Sequence, residues 1–385
     1  MKGYFRKRGV KWSFTIDLGK DPQGKRKQKS VSGFKTKKEA QKACAELIAQ
    51  IENGGYKEPS KITLGEFITE YMENHVKHEV RPSTFQNQLG TTNQNIIPNL
   101  GSLQLQHMTP LIVQEFYTKM LNQGYKASYI RVVHAILSKA LKRAFEWDMI
   151  PKNISSVLKP PRIPSRSIHV WDMETVNQFL SFTKDRELYI IYVLATYTGM
   201  RKGEILGLRW DDCDLKNGRV NVNQTLSLVN NKLVFQDPKT KGSKRTIPLP
   251  EFALHCLKKH KLQQNQQKLQ LGSAYQDHDL VISSNNGEPL PPYIVNYDFK
   301  KMLQKASLPK IRFHDLRHSH ATILLKIGEN PKVVSERLGH TTIGMTLDTY
   351  SHVLPDMQKS LADNFDTAMQ SSKKSSSYDE VRKKI

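Results

Sequence analysis

The sequence predicts an α+β protein of several domains. A small three-stranded sheet with one helix comes first, then a four-helix domain, then a mixed but mainly helical domain containing a β-hairpin. Three observations carry that expectation. Period-two alternation of apolar and polar residues is confined to the start of the chain and to a stretch near residues 219–249, whereas helical spacing dominates elsewhere. Glycines and prolines gather near residues 54–60 and 159–164, where neither a helix nor a strand can continue. The length of 385 residues suits two or three domains at roughly 150 residues each. We therefore expect boundaries at 1–57, 61–160 and 165–370, followed by a flexible tail at 371–385.

In the first domain Val10, Trp12, Phe14, Ile16 and Leu18 alternate with Lys11, Ser13, Thr15 and Asp17, the pattern of a strand with one buried face. Tyr4–Arg8 and Lys27–Phe34 supply its neighbours, with a turn at Asp21-Pro22-Gln23-Gly24. Thr36 and Glu39 form a capping box for a helix whose apolar stripe is Ala40, Cys44, Leu47, Ile48 and Ile51, ended by Gly54-Gly55. This segment is strongly basic, with 15 Lys+Arg against 6 Asp+Glu in residues 1–60. Arg6, Lys7, Arg8, Lys11, Lys25, Arg26 and Lys27 are its candidate DNA-binding residues, because a sheet can lie in a groove of the duplex. A charged face that is merely solvated is the plain alternative.

After a linker at Lys57–Ser60, helical spacing runs through Thr63–His75, Pro82–Ile97, Pro110–Asn122 and Ala127–Trp147. Thr63 with Glu66, and Thr109 before Pro110, mark two of the starts. The run Lys159-Pro160-Pro161-Arg162-Ile163-Pro164 reads as a hinge. Beyond it, helices are expected at Asp172–Thr183, Arg186–Thr198 and Arg201–Leu208. Strands follow at Arg219–Asn223, Leu226–Phe235 and Arg245–Leu249, with helices again from Glu251.

Composition bounds the function. Fifty-nine Lys+Arg against 36 Asp+Glu give a net charge of +23, which points to a polyanionic partner, and nucleic acid is the commoner one. No run approaches the roughly 18 apolar residues of a membrane span, so no membrane partner is expected. The start MKGYFRKRGVKW reaches no apolar core of a signal peptide, and a cytoplasmic protein is expected, associated with the nucleoid when bound to DNA. Cys44, Cys213 and Cys256 are far apart and lack metal-site spacing.

The unusual residues lie in four segments of the last domain. In TGMRKGE, Gly199 ends one helix and Arg201 opens the next, with Glu204 a turn further on the same face. A guanidinium at a helix start suits a phosphate, since its fork matches two oxygens. The segment DPKTKGSKR, residues 237–245, is expected to form the tip and arms of a hairpin, where Lys239, Lys241 and Lys244 can meet DNA. HDLRH begins a helix with a core stripe of Phe313, Leu316, His320, Ile323 and Ile327, and His314 and Arg317 share the adjoining face. His314 and His318 have the spacing of a metalloprotease helix, but Asp315-Leu316 replaces the glutamate base and no third ligand follows at the required spacing. No metal is therefore expected. Leu338-Gly339-His340 leads to Tyr350 through a short helix, which also reads as a helix-turn-helix.

Taken together these segments resemble the tyrosine recombinase family of phage and conjugative-element integrases, whose signature runs Arg, Lys, His-x-x-Arg, His, Tyr. Arg201, Lys239, His314 with Arg317, His340 and Tyr350 stand in that order, within TGMRKGE, PKTKGSKRTIPL, HDLRHSHAT and LGHTTIGMTLDTYSH. Either Lys239 or Lys241 can be the hairpin lysine, and the PKT context favours Lys239. The resemblance extends to the first two domains, which look like an arm-site DNA-binding domain and a SAM-like core-binding domain.

The resemblance implies cleavage and rejoining of DNA through a 3′-phosphotyrosine on Tyr350. Arg201 and Arg317 clamp the phosphate, His314 assists proton transfer, Lys239 protonates the leaving 5′-oxygen, His340 binds the phosphate and Glu204 orients. It implies integration and excision of a mobile element without ATP or another cofactor, and a homotetramer on double-stranded DNA carrying core and arm sites. An excisionase and a host DNA-bending protein are its expected accessory partners, with the C-terminal tail packing on a neighbouring protomer. A DNA-binding regulator without catalysis and a topoisomerase IB-like enzyme are the rival readings.

Overall fold

The computed structural model describes residues 2–20, 24, 26–52, 61–163, 169–238 and 241–350, together with 362, 365–367 and 369. The chain divides into two compact units, Met1–Pro164 and Ser165–Ile385.

The first unit opens with antiparallel strands β1 (Gly3–Arg8), β2 (Lys11–Lys20) and β3 (Arg26–Phe34), in the order β1-β2-β3. Phe14 and Ile16 of β2 are buried with Ala40 and Cys44 of helix α1 (Lys37–Glu52), so one sheet face packs on the helix. The Thr36 hydroxyl accepts the Glu39 amide at 3.2 Å, while the Glu39 carboxylate reaches back to the amide of Lys35 rather than that of Thr36. Val10 departs from the expected alternation. It sits in the turn after Gly9 and is 85% exposed, because the two-residue loop rather than the strand claims it. The expected turn at Asp21–Gln23 and the helix stop at Gly54-Gly55 lie outside the described residues.

The helical part of this unit is longer-winded than the spacing indicates. Helix α2 (Leu64–Tyr71) starts at a reciprocal cap between Thr63 and Glu66, then passes through a π-helical turn (Met72–Val76) into α3 (Lys77–Glu79). Helix α4 (Pro82–Thr91) likewise continues through a π-helical turn (Thr92–Ile96) into α5 (Ile97–Leu100). Pro98 explains the second irregularity, since it has no N–H with which to close an α-helical hydrogen bond. Helices α6 (Pro110–Asn122) and α7 (Ala127–Glu146) complete a core in which Leu64, Ile96, Tyr117, Ile130 and Leu137 are fully enclosed.

In the second unit, α8 (Met173–Thr183), capped by Asp172, and α9 (Tyr189–Thr198) lead into α10 (Lys202–Leu206). Strands β4 (Cys213–Asp214), β5 (Arg219–Val222), β6 (Thr225–Val229), β7 (Lys232–Gln236) and β8 (Arg245–Pro248) form two sheets, β4-β5-β8 and β6-β7. Two expectations change here. Leu226–Phe235 is a hairpin rather than one strand, because Asn230 and Asn231 take positive φ of 50° and 59° and turn the chain. Strands β7 and β8 are accordingly not the two arms of one hairpin, since β7 pairs with β6 and β8 with β5, and Lys239 and Thr240 between them lie outside the described residues.

The helices α11 (Glu251–Leu271), α12 (Pro292–Lys305), α13 (Asp315–Lys326), α14 (Pro331–Leu338) and α15 (Ile343–Tyr350) follow among the described residues. The apolar stripe of α13 holds at Phe313, Leu316 and His320, but Ile327 lies just past the helix end and is 60% exposed. No helix among the described residues is long and apolar enough to cross a membrane.

An aromatic cluster anchors the second unit. The Phe179 ring lies 5.2 Å from Trp171, 5.0 Å from Tyr192 and 5.3 Å from Phe299, and Phe299 meets Phe313 edge-on at 5.6 Å. Phe179 is completely enclosed, so Phe179→Ala should lower stability by about 3–5 kcal/mol through lost burial and a residual cavity. Urea unfolding of the full chain, read as a lower midpoint with unchanged slope, checks this.

Candidate active site

The site begins where α9 ends. Gly199 adopts the left-handed conformation at φ 65°, and a Cβ there would come within 2.7 Å of both His320 and Leu338. Glycine is therefore required by backbone and by packing. The reversal places Arg201 at the cap of α10. Its amide donates to Glu204 Oε2 at 2.9 Å, its guanidinium Nη1 to Glu204 Oε1 at 2.7 Å, and its Nη2 to the Gly339 carbonyl at 3.1 Å.

Glu204 is almost fully enclosed and takes a second guanidinium. Arg245, at the start of β8, donates from Nη2 to Oε2 at 2.9 Å and from Nη1 to Oε1 at 3.3 Å. Burial alone would raise the Glu204 pKa, but the hydrogen bonds and charge of Arg245, with the charge of Arg201, outweigh it and hold the pKa below the usual value. The carboxylate is thus ionised at neutral pH. Arg245 also donates from Nε to the Arg337 carbonyl at 2.7 Å, tying β8 to α14.

The segment before α13 is fixed by Asp315, which accepts the Arg312 amide at 2.7 Å and the Arg312 guanidinium at 2.7 Å. That leaves His314 at the helix start and Arg317 one turn on. Arg317 is 3% exposed and donates from Nη1 to the Gly199 carbonyl at 2.7 Å, which sets it beside Arg201. After α14, Gly339 is left-handed at φ 68°, and a Cβ on it would meet the Arg245 guanidinium at 3.0 Å. His340 follows, its Nδ1 hydrogen-bonded with the Thr346 hydroxyl at 2.8 Å.

Electrostatics shows how closely these segments meet. His314 is pushed down to about 4 by burial, reinforced by His318, Arg317 and Arg201. His340 is pushed down to about 4 by burial and by the charges of Arg317 and Arg201. Both rings are therefore neutral at pH 7, flanked by the same two guanidiniums. Such an arrangement offers fixed positive charge to an anion, with two neutral imidazoles able to accept or share a proton.

Of the residues singled out in the sequence, Arg201, Glu204, His314, Arg317 and His340 come together here. Lys239 and Lys25 lie outside the described residues. Lys241 opens a 3-10 turn and Tyr350 closes α15, but the side chains of both are outside them too. Lys244 is exposed and forms an ion pair with Asp237 at 3.4 Å. In the first unit Arg6, Lys7, Arg8, Lys11, Arg26 and Lys27 are all exposed. Arg6 and Arg8 share the sheet face away from α1 with the exposed Tyr4, whereas Lys7 falls on the face of Phe5, and Arg26 is engaged with Asp17 at 2.7 Å. Among the described residues no group of three or more His, Cys, Asp or Glu side chains could hold a metal ion. A cavity of about 590 Å³ lined by Tyr189, His255, Cys256 and Gln267 contains none of the site residues.

Sequence reading gave no role to Arg245 or Arg337 and assigned His320 only to the core. Arg337 donates from Nε to His320 Nε2 at 3.2 Å and from Nη2 to the Tyr197 and Pro248 carbonyls at 3.0 and 3.2 Å. The His320 Nδ1–H then donates to the Thr196 carbonyl at 2.8 Å. Their only sequence signal was charge at positions where a strand start and a helix end should tolerate any polar residue.

Comparison with known proteins follows the same partition. Residues 170–357 match the Phage integrase family, residues 4–51 an Arm DNA-binding domain, and residues 63–121 the Phage integrase, N-terminal SAM-like domain. A tyrosine recombinase XerC-like protein of Caldanaerobacter subterraneus is 30% identical over 361 residues, spanning 89% of this chain and 92% of that protein. The ICEBs1 integrase of Bacillus subtilis is 26% identical, spanning 91% and 95%. In fold, the Tn1549 transposon integrase bound to transposon right end DNA superposes with a TM-score of 0.67 at 21% identity, covering 78% of this chain and all of that one. A lambda integrase tetramer bound to a Holliday junction gives 0.56 at 20% identity, covering 88% and 95%.

The buried histidine makes the second unit sensitive to acid. His320 is held down to about 3 by burial and by the charge of Arg337, against 6.5 for a free imidazole. A pKa depressed in the folded state contributes stability that is present above about pH 6.5 and lost as pH falls toward 3. The thermal midpoint should therefore drop from pH 7 to pH 4, and His320→Gln should flatten that slope. An equal slope in both proteins counts against His320 as a source.

Proposed function

The chain belongs to the phage integrase family of tyrosine recombinases, enzymes that break and rejoin DNA, and from that membership we propose how its own residues perform the reaction. The observation that carries the proposal is the convergence of Arg201 and Arg317 on the flanks of two neutral histidines, His314 and His340, contributed by separate segments of the chain.

A phosphodiester resists an oxygen nucleophile because it is already anionic, so charge neutralisation and positioning must supply most of the rate. Arg201 and Arg317 bind the two non-bridging oxygens of the scissile phosphate. The hydroxyl of Tyr350 attacks phosphorus, forming a 3′-phosphotyrosine as the bond to the 5′-oxygen breaks. A free tyrosine ionises near pH ~10, so its proton must be taken as attack proceeds. His314 accepts it: the ring is neutral beforehand, and the bound phosphate adds negative charge that raises its proton affinity. Lys239 gives a proton to the departing 5′-oxygen, with Lys241 the alternative donor, and His340 hydrogen-bonds a phosphate oxygen. Glu204 holds Arg201 and takes no part in proton transfer. The phosphotyrosyl linkage retains the energy of the ester, so a 5′-hydroxyl from a partner duplex reverses the step without ATP or another cofactor.

The substrate is double-stranded DNA carrying core and arm sites, and the outcome is integration and excision of a mobile element. The basic sheet, through Arg6, Lys7 and Arg8 with Lys11, Lys25, Arg26 and Lys27, binds the arm sites, and Lys241 and Lys244 contact the backbone near the core. Two duplexes exchanging strands require four cleavages, hence a homotetramer on DNA. An excisionase and a host DNA-bending protein set direction, and Ser371–Ile385 packs on a neighbouring protomer.

Incubation with nicked suicide DNA tests the reading. The native chain should form a covalent complex that Tyr350→Phe abolishes, and specific binding without covalent product would favour a regulator. Arg201→Lys should bind the core site normally yet cleave about a hundredfold or more slowly, because an ammonium cannot bridge two oxygens. Deleting residues 371–385 should reduce recombination more than binding by a single protomer.

A further inference from the structure

The residue that stands out beyond this mechanism is Arg245. It lies on a different element from the residues above, its side chain is 7% exposed, and its guanidinium spans both oxygens of the Glu204 carboxylate. That carboxylate is also the partner of Arg201. One buried negative charge is therefore shared by two guanidiniums, one enclosed and the other 36% exposed.

We propose that Arg245 is a positioning residue that neutralises Glu204, so that the outward-facing guanidinium of Arg201 keeps its positive charge available to the scissile phosphate. The three groups carry a net charge of +1. Without Arg245, Arg201 becomes the sole counterion of a buried carboxylate, the pair is neutral, and the attraction for an incoming phosphate falls. Arg245 has a second positioning contact. Its Nε donates to the Arg337 carbonyl, and its guanidinium packs on Gly339, whose own carbonyl accepts from Arg201. The turn that delivers His340 is thus fixed by the two arginines that share Glu204. The inference rests on the assignment of Arg201 as a phosphate ligand.

Charge compensation separates this electrostatic role from a merely structural one. In the full-length chain Arg245→Met should slow single-turnover formation of the covalent complex about a hundredfold, while core-site affinity stays within about threefold. Adding Glu204→Gln restores the net charge of +1, and the double variant should cleave at least about tenfold faster than Arg245→Met alone. Arg245→Lys, which keeps the charge and loses the fork, should fall between the native chain and Arg245→Met. Native cleavage by Arg245→Met, a double variant no faster than the single one, or a lysine variant no better than methionine would each overturn the assignment. If Arg245→Met does not fold, as judged by core-site binding, an Arg245→Lys chain that binds the core site yet cleaves about a hundredfold more slowly than the native chain also overturns it. Absence of covalent product from the native chain would instead sink the recombinase mechanism on which it rests.

Discussion

A carboxylate that is nearly sealed from water has to be paired, and in this protein that requirement organises the site. Glu204 accepts from guanidiniums 3 and 41 residues away in sequence, and the nearer of these reaches on to a carbonyl 138 residues away. Removing either partner would leave buried charge poorly compensated, a situation that costs about 3–5 kcal/mol where it has been measured. The start of α10, the start of β8 and the end of α14 are therefore bound to one another through Glu204 and the two arginines that share it. The position of Arg201 is a property of the assembled unit rather than of its own short helix.

The hydrophobic core supports the same arrangement from the other side. Phe313 is the last residue before His314 and belongs to the aromatic cluster with Phe299 and Tyr192, while Leu316 is fully buried between His314 and Arg317. Helix α13 consequently has one stripe committed to the core, while Arg317 beside it is committed to the Gly199 carbonyl, so rotation about its axis would break both. Burial has an electrostatic consequence as well. The low water content that depresses the histidines strengthens the field of Arg201 and Arg317 acting on them.

Much of this was legible in the sequence. Period-two alternation located the N-terminal sheet, the Thr63–Glu66 pair marked a helix start, and the ordered Arg201, Lys239, His314, Arg317, His340 and Tyr350 pointed to the family. What escaped had physical causes. A π-helical turn inserts one residue without changing which residues are apolar, so Met72–Val76 and Thr92–Ile96 left no trace in the spacing. The Asn230-Asn231 turn was overlooked because the apolar residues on both sides of it, Leu226, Leu228, Leu233 and Phe235, read as one strand, and only the cross-strand pairing shows the reversal. Arg245 and Arg337 were overlooked because an arginine at an element's end is ordinarily solvated, and only tertiary structure shows that its partner is buried.

One property of these arginine contacts bears on how the site tolerates change. Among the described residues, and apart from Glu204 and the His320 ring, Arg201, Arg245, Arg317 and Arg337 donate over long range to main-chain carbonyls, those of Gly199, Gly339, Arg337, Tyr197 and Pro248. Every amino acid carries that acceptor. At Tyr197 and Pro248 a changed side chain leaves the main-chain acceptor in place, whereas the hydrogen bond is lost with the guanidinium that donates it. Gly199 and Gly339 are the exceptions, held by their left-handed backbone rather than by anything a side chain supplies. The site is thus specified asymmetrically: a few donors that need an arginine side chain, set among acceptor positions whose hydrogen bonds ask nothing of the side chain.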